Sequence, residues 1–98
     1  MISNTKKYKE IMIPIIIKHA PSAKIILFGS RARNDDNQGS DIDIALDLGK
    51  KIDFTIMNNI LGDLEESMLP IKFDIVDFNA VSQDLQKEIV KDGVWWKK

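Results

Sequence analysis

Gly29-Ser30, the run Ser40-Asp41-Ile42-Asp43-Ile44, and Asp74 within Lys72-Phe73-Asp74-Ile75-Val76 are the residues whose types and spacing suit chemistry. Glycine lets a ligand oxygen approach the backbone, Ser30 adds a hydroxyl donor, and amides opening a following helix would face a bound anion. The pair therefore predicts a phosphate seat. It is not a Walker loop, because no Gly-Lys-Ser/Thr ending follows Gly29. Asp41 and Asp43 are alternate residues of an expected strand, so they project from one face about 7 Å apart. Hard carboxylate oxygens suit Mg²⁺, which keeps waters and substrate phosphates in its shell and so links the acids to the seat. Asp74 supplies a third carboxylate if its strand lies beside that of Asp41, and three acids could hold two metals. Taken singly, a Gly-Ser pair is usually a turn and Asp-x-Asp at a strand start is usually a solvated edge. Their order and spacing, followed by a strand that carries an acid, favour the functional reading.

The elements that must position these residues are legible in outline. Residues 5–19 carry Tyr8, Ile11, Met12, Ile15 and Ile16 at helical spacing, with a defect at Pro14. Lys24-Ile25-Ile26-Leu27-Phe28 is a β-branched run without alternation, which predicts a central strand covered on both faces. Arg31-Ala32-Arg33 can start a short helix before the turn-rich surface loop 34–39. From Ser40 the pattern alternates, with Asp41, Asp43 and Ala45 on one side and Ile42, Ile44 and Leu46 on the other. Met57, Ile60, Leu61, Leu64 and Met68 define an amphipathic helix over about 52–66 that ends near Pro70. Residues 71–78 form a third strand, then Ser82 caps a helix with Leu85 and Ile89 inward and Gly93 as its stop. The expected order is α-β-α-β-α-β-α, an α+β unit with helices packed on a small mixed sheet.

Composition narrows the classes. The chain has 98 residues, 44% hydrophobic and 30% charged, which predicts one globular domain spanning 1–98 with no room for an enclosed deep pocket. Without cysteine there is no disulfide framework, thiolate nucleophile or Cys-based zinc site, and a reducing, cytoplasmic setting is expected. The longest apolar run, Ile11 to Ile17, is interrupted by Pro14 and falls far short of the ~20 residues of a membrane span. A net charge of −1 provides no global basic field, so direct nucleic-acid binding is not expected.

Gly29-Ser30-Arg31-Ala32-Arg33 followed by Ser40-Asp41-Ile42-Asp43-Ile44-Ala45-Leu46 resembles the signature of the nucleotidyltransferase superfamily related to DNA polymerase beta, in its minimal nucleotidyltransferase branch. The resemblance extends over nearly the whole chain, with Asn34 where that family commonly has glycine. It implies the nucleotidyltransferase fold, with Gly29 and Ser30 on the triphosphate of ATP, Arg31 and Ser40 also at the nucleotide, and Asp41 and Asp43 on Mg²⁺. Asp74 would be the third carboxylate, as ligand or base. Arg31 or Arg33 could stabilise phosphate charge or equally form surface ion pairs. The implied reaction is attack of an acceptor hydroxyl on the α-phosphate with pyrophosphate leaving, assisted by two ions about 3.5–4 Å apart. Members of this kind are typically encoded beside a small helical HEPN toxin and act as its antitoxin by transferring AMP to a tyrosine of it.

Two other functions compete. A binding module would neutralise such a partner by masking it, and a small-molecule nucleotidyltransferase would complete its acceptor site in a homo-oligomer. Other polar residues are read as bland. His19 is a helix-end or surface residue, Asp77 has the opposite strand parity to Asp74, and Asp35, Asp36, Asp47 and Asp53 are solvated loop charges. Trp95 and Trp96 are assigned to the core or an interface.

Overall fold

The computed structural model describes residues 5–33 and 41–98. Helix α1 is Thr5–His19, strand β1 Lys24–Phe28, strand β2 Ile42–Asp47, helix α2 Phe54–Glu66, strand β3 Phe73–Asp77, helix α3 Gln83–Asp92 and strand β4 Val94–Lys97. The strands form one mixed sheet in the order β3-β2-β1-β4, with β1 antiparallel to both neighbours and β2 parallel to β3. A parallel pair needs a crossover connection, and α2 supplies it.

Both faces of the sheet are covered, which is why β1 carries an unbroken apolar run. Ile25 and Leu27 of β1 join Ile42, Ile44 and Leu46 of β2 in the larger core, together with Met12 and Ile16 of α1 and Ile60 and Leu64 of α2. Fully burying each large aliphatic side chain contributes about 1.5–3 kcal/mol. On the other face Ile26 and Ala45 pack with Ile89 of α3, beside Phe28, Val76 and Leu85. The alternation along β2 thus puts its aliphatic residues under α1 and α2, and leaves the aspartate side to the face that α3 covers only in part.

The α+β class and the three long helices agree with the sequence reading, and one element differs. Residues 31–33 form a turn in which the amides of Ala32 and Arg33 both bond back to the carbonyl of Gly29, and any continuation into a short helix lies outside the described residues. The C-terminal Val94–Lys97 is a fourth strand, paired with β1. Gly93 makes that reversal possible: its amide caps α3 on the Ile89 carbonyl at 2.8 Å, and a Cβ there would collide with that carbonyl and with Ile26. Trp96 is consequently buried in the larger core, whereas Trp95 stays 40% exposed. Pro14 does not split α1; it lies on the exposed side, where the carbonyl it leaves unbonded can be hydrated. The loop 34–39 and Ser40, to which a surface loop and a nucleotide contact were assigned, lie outside the described residues. Among the described residues no helix is long and apolar enough to cross a membrane.

Helix α2 begins at Asp53, whose carboxylate accepts from the Thr55 amide at 2.8 Å, so this acid is an N-cap and not a free loop charge. The helix ends at Glu66 with Ser67 as its C-cap, two residues before Met68, which the apolar spacing places on its inner face. Instead Met68 is 84% exposed and takes φ 57, the left-handed position after the C-cap that glycine normally fills. We expect Met68→Gly to stabilise the protein by about 1 kcal/mol, read as a higher urea midpoint, because it relieves this conformation without removing a buried contact.

Candidate active site

The site is built on the parallel pairing of β2 with β3. Asp43 and Asp74 are direct register partners, so their side chains leave the same face side by side. Asp41, two residues before Asp43 along the chain, extends the cluster, and Ala45 continues the same side until α3 covers it. Asp41 and Asp74 are exposed and Asp43 is half-buried. Opposite Asp43 on its other flank is Phe28, the last residue of β1, and Gly29 follows immediately. Gly29 has φ 77, and a Cβ on it would run into the Asp43 carboxylate. Glycine is therefore required there both by backbone conformation and by space. Gly29, from the Gly-Ser pair, and the paired aspartates thus meet in space at Asp43.

Electrostatics single out the same residue. The Asp43 pKa is raised above the ordinary aspartate value, first by burial and then by repulsion from Asp74 and Asp41, with Arg33 acting in the opposite sense. A carboxyl whose folded pKa lies above its unfolded one destabilises the fold once it ionises. That cost is absent below the ordinary aspartate value and fully present above the raised one. The cluster is a set of hard oxygen donors that repel one another, which is the environment a divalent cation relieves.

The three acids open onto a cleft of about 590 Å³ whose other residues come from α2, from β3 and from Lys72 just before it. Among the described residues, no three acidic or histidine side chains are gathered closely enough to cage an ion by themselves. The donor set nevertheless fits Mg²⁺, because this ion is commonly held by one or two carboxylates and completed by water and substrate phosphate.

Asp77 lies apart. It sits opposite Leu46 in the register, and its carboxylate accepts from the amides of Ile52 at 2.7 Å and Asn79 at 3.0 Å. It organises the loops at the opposite end of the sheet, helped by Asp47, which accepts from the Gly49 amide and the Asn79 side chain, each at 2.8 Å. Asp47 is thus not a free charge either. The two arginines also part. Arg31 is 6% exposed, donates to the Thr5 hydroxyl at 2.9 Å and lies 5.8 Å from the centre of the Tyr8 ring, so its guanidinium is packed against α1. Arg33 is exposed and its charge is felt at Asp43.

His19 has a partner that the sequence reading missed. Its Nε2 lies 2.6 Å from Oδ2 of Asp63, with Lys18 at 3.8 Å from the same oxygen. The His19 hydrogen bond is the main reason the Asp63 carboxyl is held below the ordinary aspartate range. The pair ties the end of α1 to α2 across 44 residues of sequence, a separation at which one sequence carries no local signal.

Residues 10–95 match the family model described as polymerase beta, nucleotidyltransferase, and the chain belongs to that family. The family acts on a nucleotide substrate with a divalent metal. A relative in Methanocaldococcus jannaschii assigned as a protein adenylyltransferase is 31% identical over 91 residues, which is 93% of this chain and 96% of the relative. Another in Haemophilus influenzae, assigned as the protein adenylyltransferase MntA, is 29% identical over 77 residues, covering 79% of this chain and 68% of that one. Among solved structures, a toxin-antitoxin complex with AMP-PNP contains a chain that matches with TM-score 0.74 at 25% identity, over 90% of this chain and 71% of that one. The complex of tri-AMPylated Shewanella oneidensis HEPN toxin with MNT antitoxin matches in fold, with TM-score 0.70 at 23% identity, over 93% and 70% of the respective chains.

Two substitutions test the geometry. Gly29→Ala combines a left-handed backbone with a collision against Asp43, and we expect a loss of about 1–3 kcal/mol in urea unfolding. Asp43→Asn removes the repelled charge, and in metal-free buffer at pH 7 we expect the melting temperature to rise by about 1–4 °C. That gain should vanish when the melt is repeated below the ordinary aspartate pKa, where Asp43 is already neutral.

Proposed function

We propose that this chain is a Mg²⁺-dependent protein adenylyltransferase that transfers AMP from ATP to a tyrosyl hydroxyl of a HEPN toxin and thereby acts as its antitoxin. The observation that carries the reading is the register pairing of Asp43 with Asp74 beside Gly29, which brings a candidate phosphate seat and three carboxylates together in a nucleotidyltransferase. The assignment of two relatives as protein adenylyltransferases supports a protein as acceptor. The toxin-antitoxin complexes among the structural matches support the partner.

In this reading Gly29 and Ser30 receive the triphosphate, where the absent Cβ lets phosphate oxygens approach the backbone next to Asp43. Asp41 and Asp43 would hold magnesium, with Asp74 as the third carboxylate. When bound, magnesium supplies charge neutralisation for the phosphates and lowers the pKa of the attacking hydroxyl. The acceptor oxygen forms a bond to the α-phosphorus as the bond to the bridging oxygen of the β-phosphate breaks. Pyrophosphate leaves with that electron pair, and the hydroxyl proton passes to Asp74, which stands on β3, the strand beyond Asp43 from Gly29. Arg33, whose charge reaches Asp43, is the arginine placed to offset phosphate charge, while Arg31 holds the turn against α1.

Neutralisation by complex formation is the second reading. The exposed Val90, Val94 and Trp95 around the edge strand β4, across the sheet from the acids, support it. Intact mass of the HEPN partner after incubation with this protein, ATP and Mg²⁺ separates the two. We expect a gain of one or more AMP units, slowed on the order of 10²–10³-fold by Asp41→Asn or Asp43→Asn. A neutralised partner of unchanged mass would overturn the transferase reading in favour of the second.

A further inference from the structure

Arg31 is the one charged side chain buried among the described residues, and no step of the transfer uses it. Burying a charge is costly unless stacking and hydrogen bonds replace its water, so its position needs a reason. The turn that carries it supplies one. After Gly29 at φ 77, the amides of Ala32 and Arg33 share a single acceptor, the Gly29 carbonyl, at 3.1 and 3.3 Å. Glycine loses more conformational freedom on ordering than any other residue. Two bonds to one oxygen shape the inside of the turn and leave its tilt on the sheet to contacts made elsewhere.

Arg31 makes such a contact, one residue after Ser30. Its guanidinium reaches α1 at two points: Nη1 donates to the Thr5 hydroxyl at 2.9 Å, and Cζ lies over the Tyr8 ring, 5.8 Å from its centre. Tyr8 is itself buried in the larger core with Met12 and Ile16, so the anchor is firm. A planar guanidinium stacks on a ring and donates in its own plane at the same time, which an ammonium does not. Arg33, two residues on, is exposed, and its charge reaches Asp43. The two arginines therefore divide the turn, one fastening it to α1 and the other serving the acids.

We infer that the contact of Arg31 with Thr5 and Tyr8 is a positioning clamp for the nucleotide. It holds Gly29-Ser30 at the tilt the triphosphate requires, so that α1, none of whose described residues lines the acidic cleft, sets the affinity for nucleotide. A seat made of backbone amides and a hydroxyl binds tightly only when they are held in place beforehand, because ordering a loose turn on binding opposes affinity. Arg31 thus acts on the nucleotide without touching it. The assignment rests on the reading of Gly29-Ser30 as the triphosphate seat.

Calorimetric binding of AMP-PNP in the presence of Mg²⁺, paired with the melting temperature of the ligand-free protein, tests it. Exchanging a buried charge for an apolar side chain of like volume is often neutral for the fold, so Arg31→Met should leave the melting temperature within about 3 °C. The Kd should nevertheless rise about tenfold, because the turn is no longer held. Thr5→Val keeps the charge and the ring, removes only the hydroxyl to which Arg31 donates, and should raise the Kd about threefold. Arg31→Lys should recover only part of the loss. If Arg31→Met fails to fold, Thr5→Val decides the matter alone. A lowered melting temperature with an unchanged Kd would make the contact structural only and overturn the clamp. Full recovery by Arg31→Lys with no effect of Thr5→Val would mean that charge acts through space, and would overturn it too. Absence of binding by the unsubstituted protein would remove the triphosphate seat, and the clamp with it.

Discussion

Everything at the site depends on one arrangement: two aspartates held as direct partners on adjacent parallel strands, with a third two residues away along β2. Like charges placed opposite each other weaken a sheet, and burial makes this worse for Asp43. The protein retains the arrangement because the other side of the same strands is strongly apolar. Ile42, Ile44 and Leu46 are fully buried beneath α1 and α2, and their burial fixes the register that sets the acids side by side. A slip of one residue would bury the acids, so register and chemistry are specified by the same alternation.

The rest of the fold serves that pairing. A parallel neighbour for β2 requires a crossover, and α2 provides it while also forming the wall of the cleft. Helix α3 covers Ile26 and Ala45 but not the aspartates, which leaves the acids open to solvent and substrate. Gly29 does two things at once, turning the chain out of β1 and keeping clear of the Asp43 carboxylate. At the other end of β3, Asp77 and Asp47 spend their acceptors on loop amides and on Asn79, so acids near in sequence to the site have structural duties.

The parts legible in the sequence were those with a local period. The alternation around Asp41 and Asp43, the helical spacing of Ile60 and Leu64, and the Ser82 cap were each visible in a window of a few residues. Strand parity separated Asp74 from Asp77, and the observed register agrees with that separation. Features set by distant partners were not legible. The His19–Asp63 contact and the packing of Arg31 on Tyr8 join segments far apart in the chain. Strand β4 is four residues long and follows α3 without a separate turn, because Gly93 is both helix stop and reversal. Met68 continued the apolar spacing of α2, yet the helix had already ended at the cap on Ser67.

If the repelling carboxylates are a cation site completed by a nucleotide's phosphates, metal and nucleotide should stabilise the fold together. The most direct measurement is the melting temperature of the protein titrated with Mg²⁺ in the presence and absence of a non-hydrolysable ATP analogue. A ligand that binds only the folded state at about 100 times its Kd adds about 2.7 kcal/mol of stability. We expect a saturable rise that is larger with both ligands than the sum of the two alone, and its loss in Asp41→Asn/Asp43→Asn. A melting temperature indifferent to Mg²⁺ and analogue together, or a rise that persists in the double variant, would contradict it.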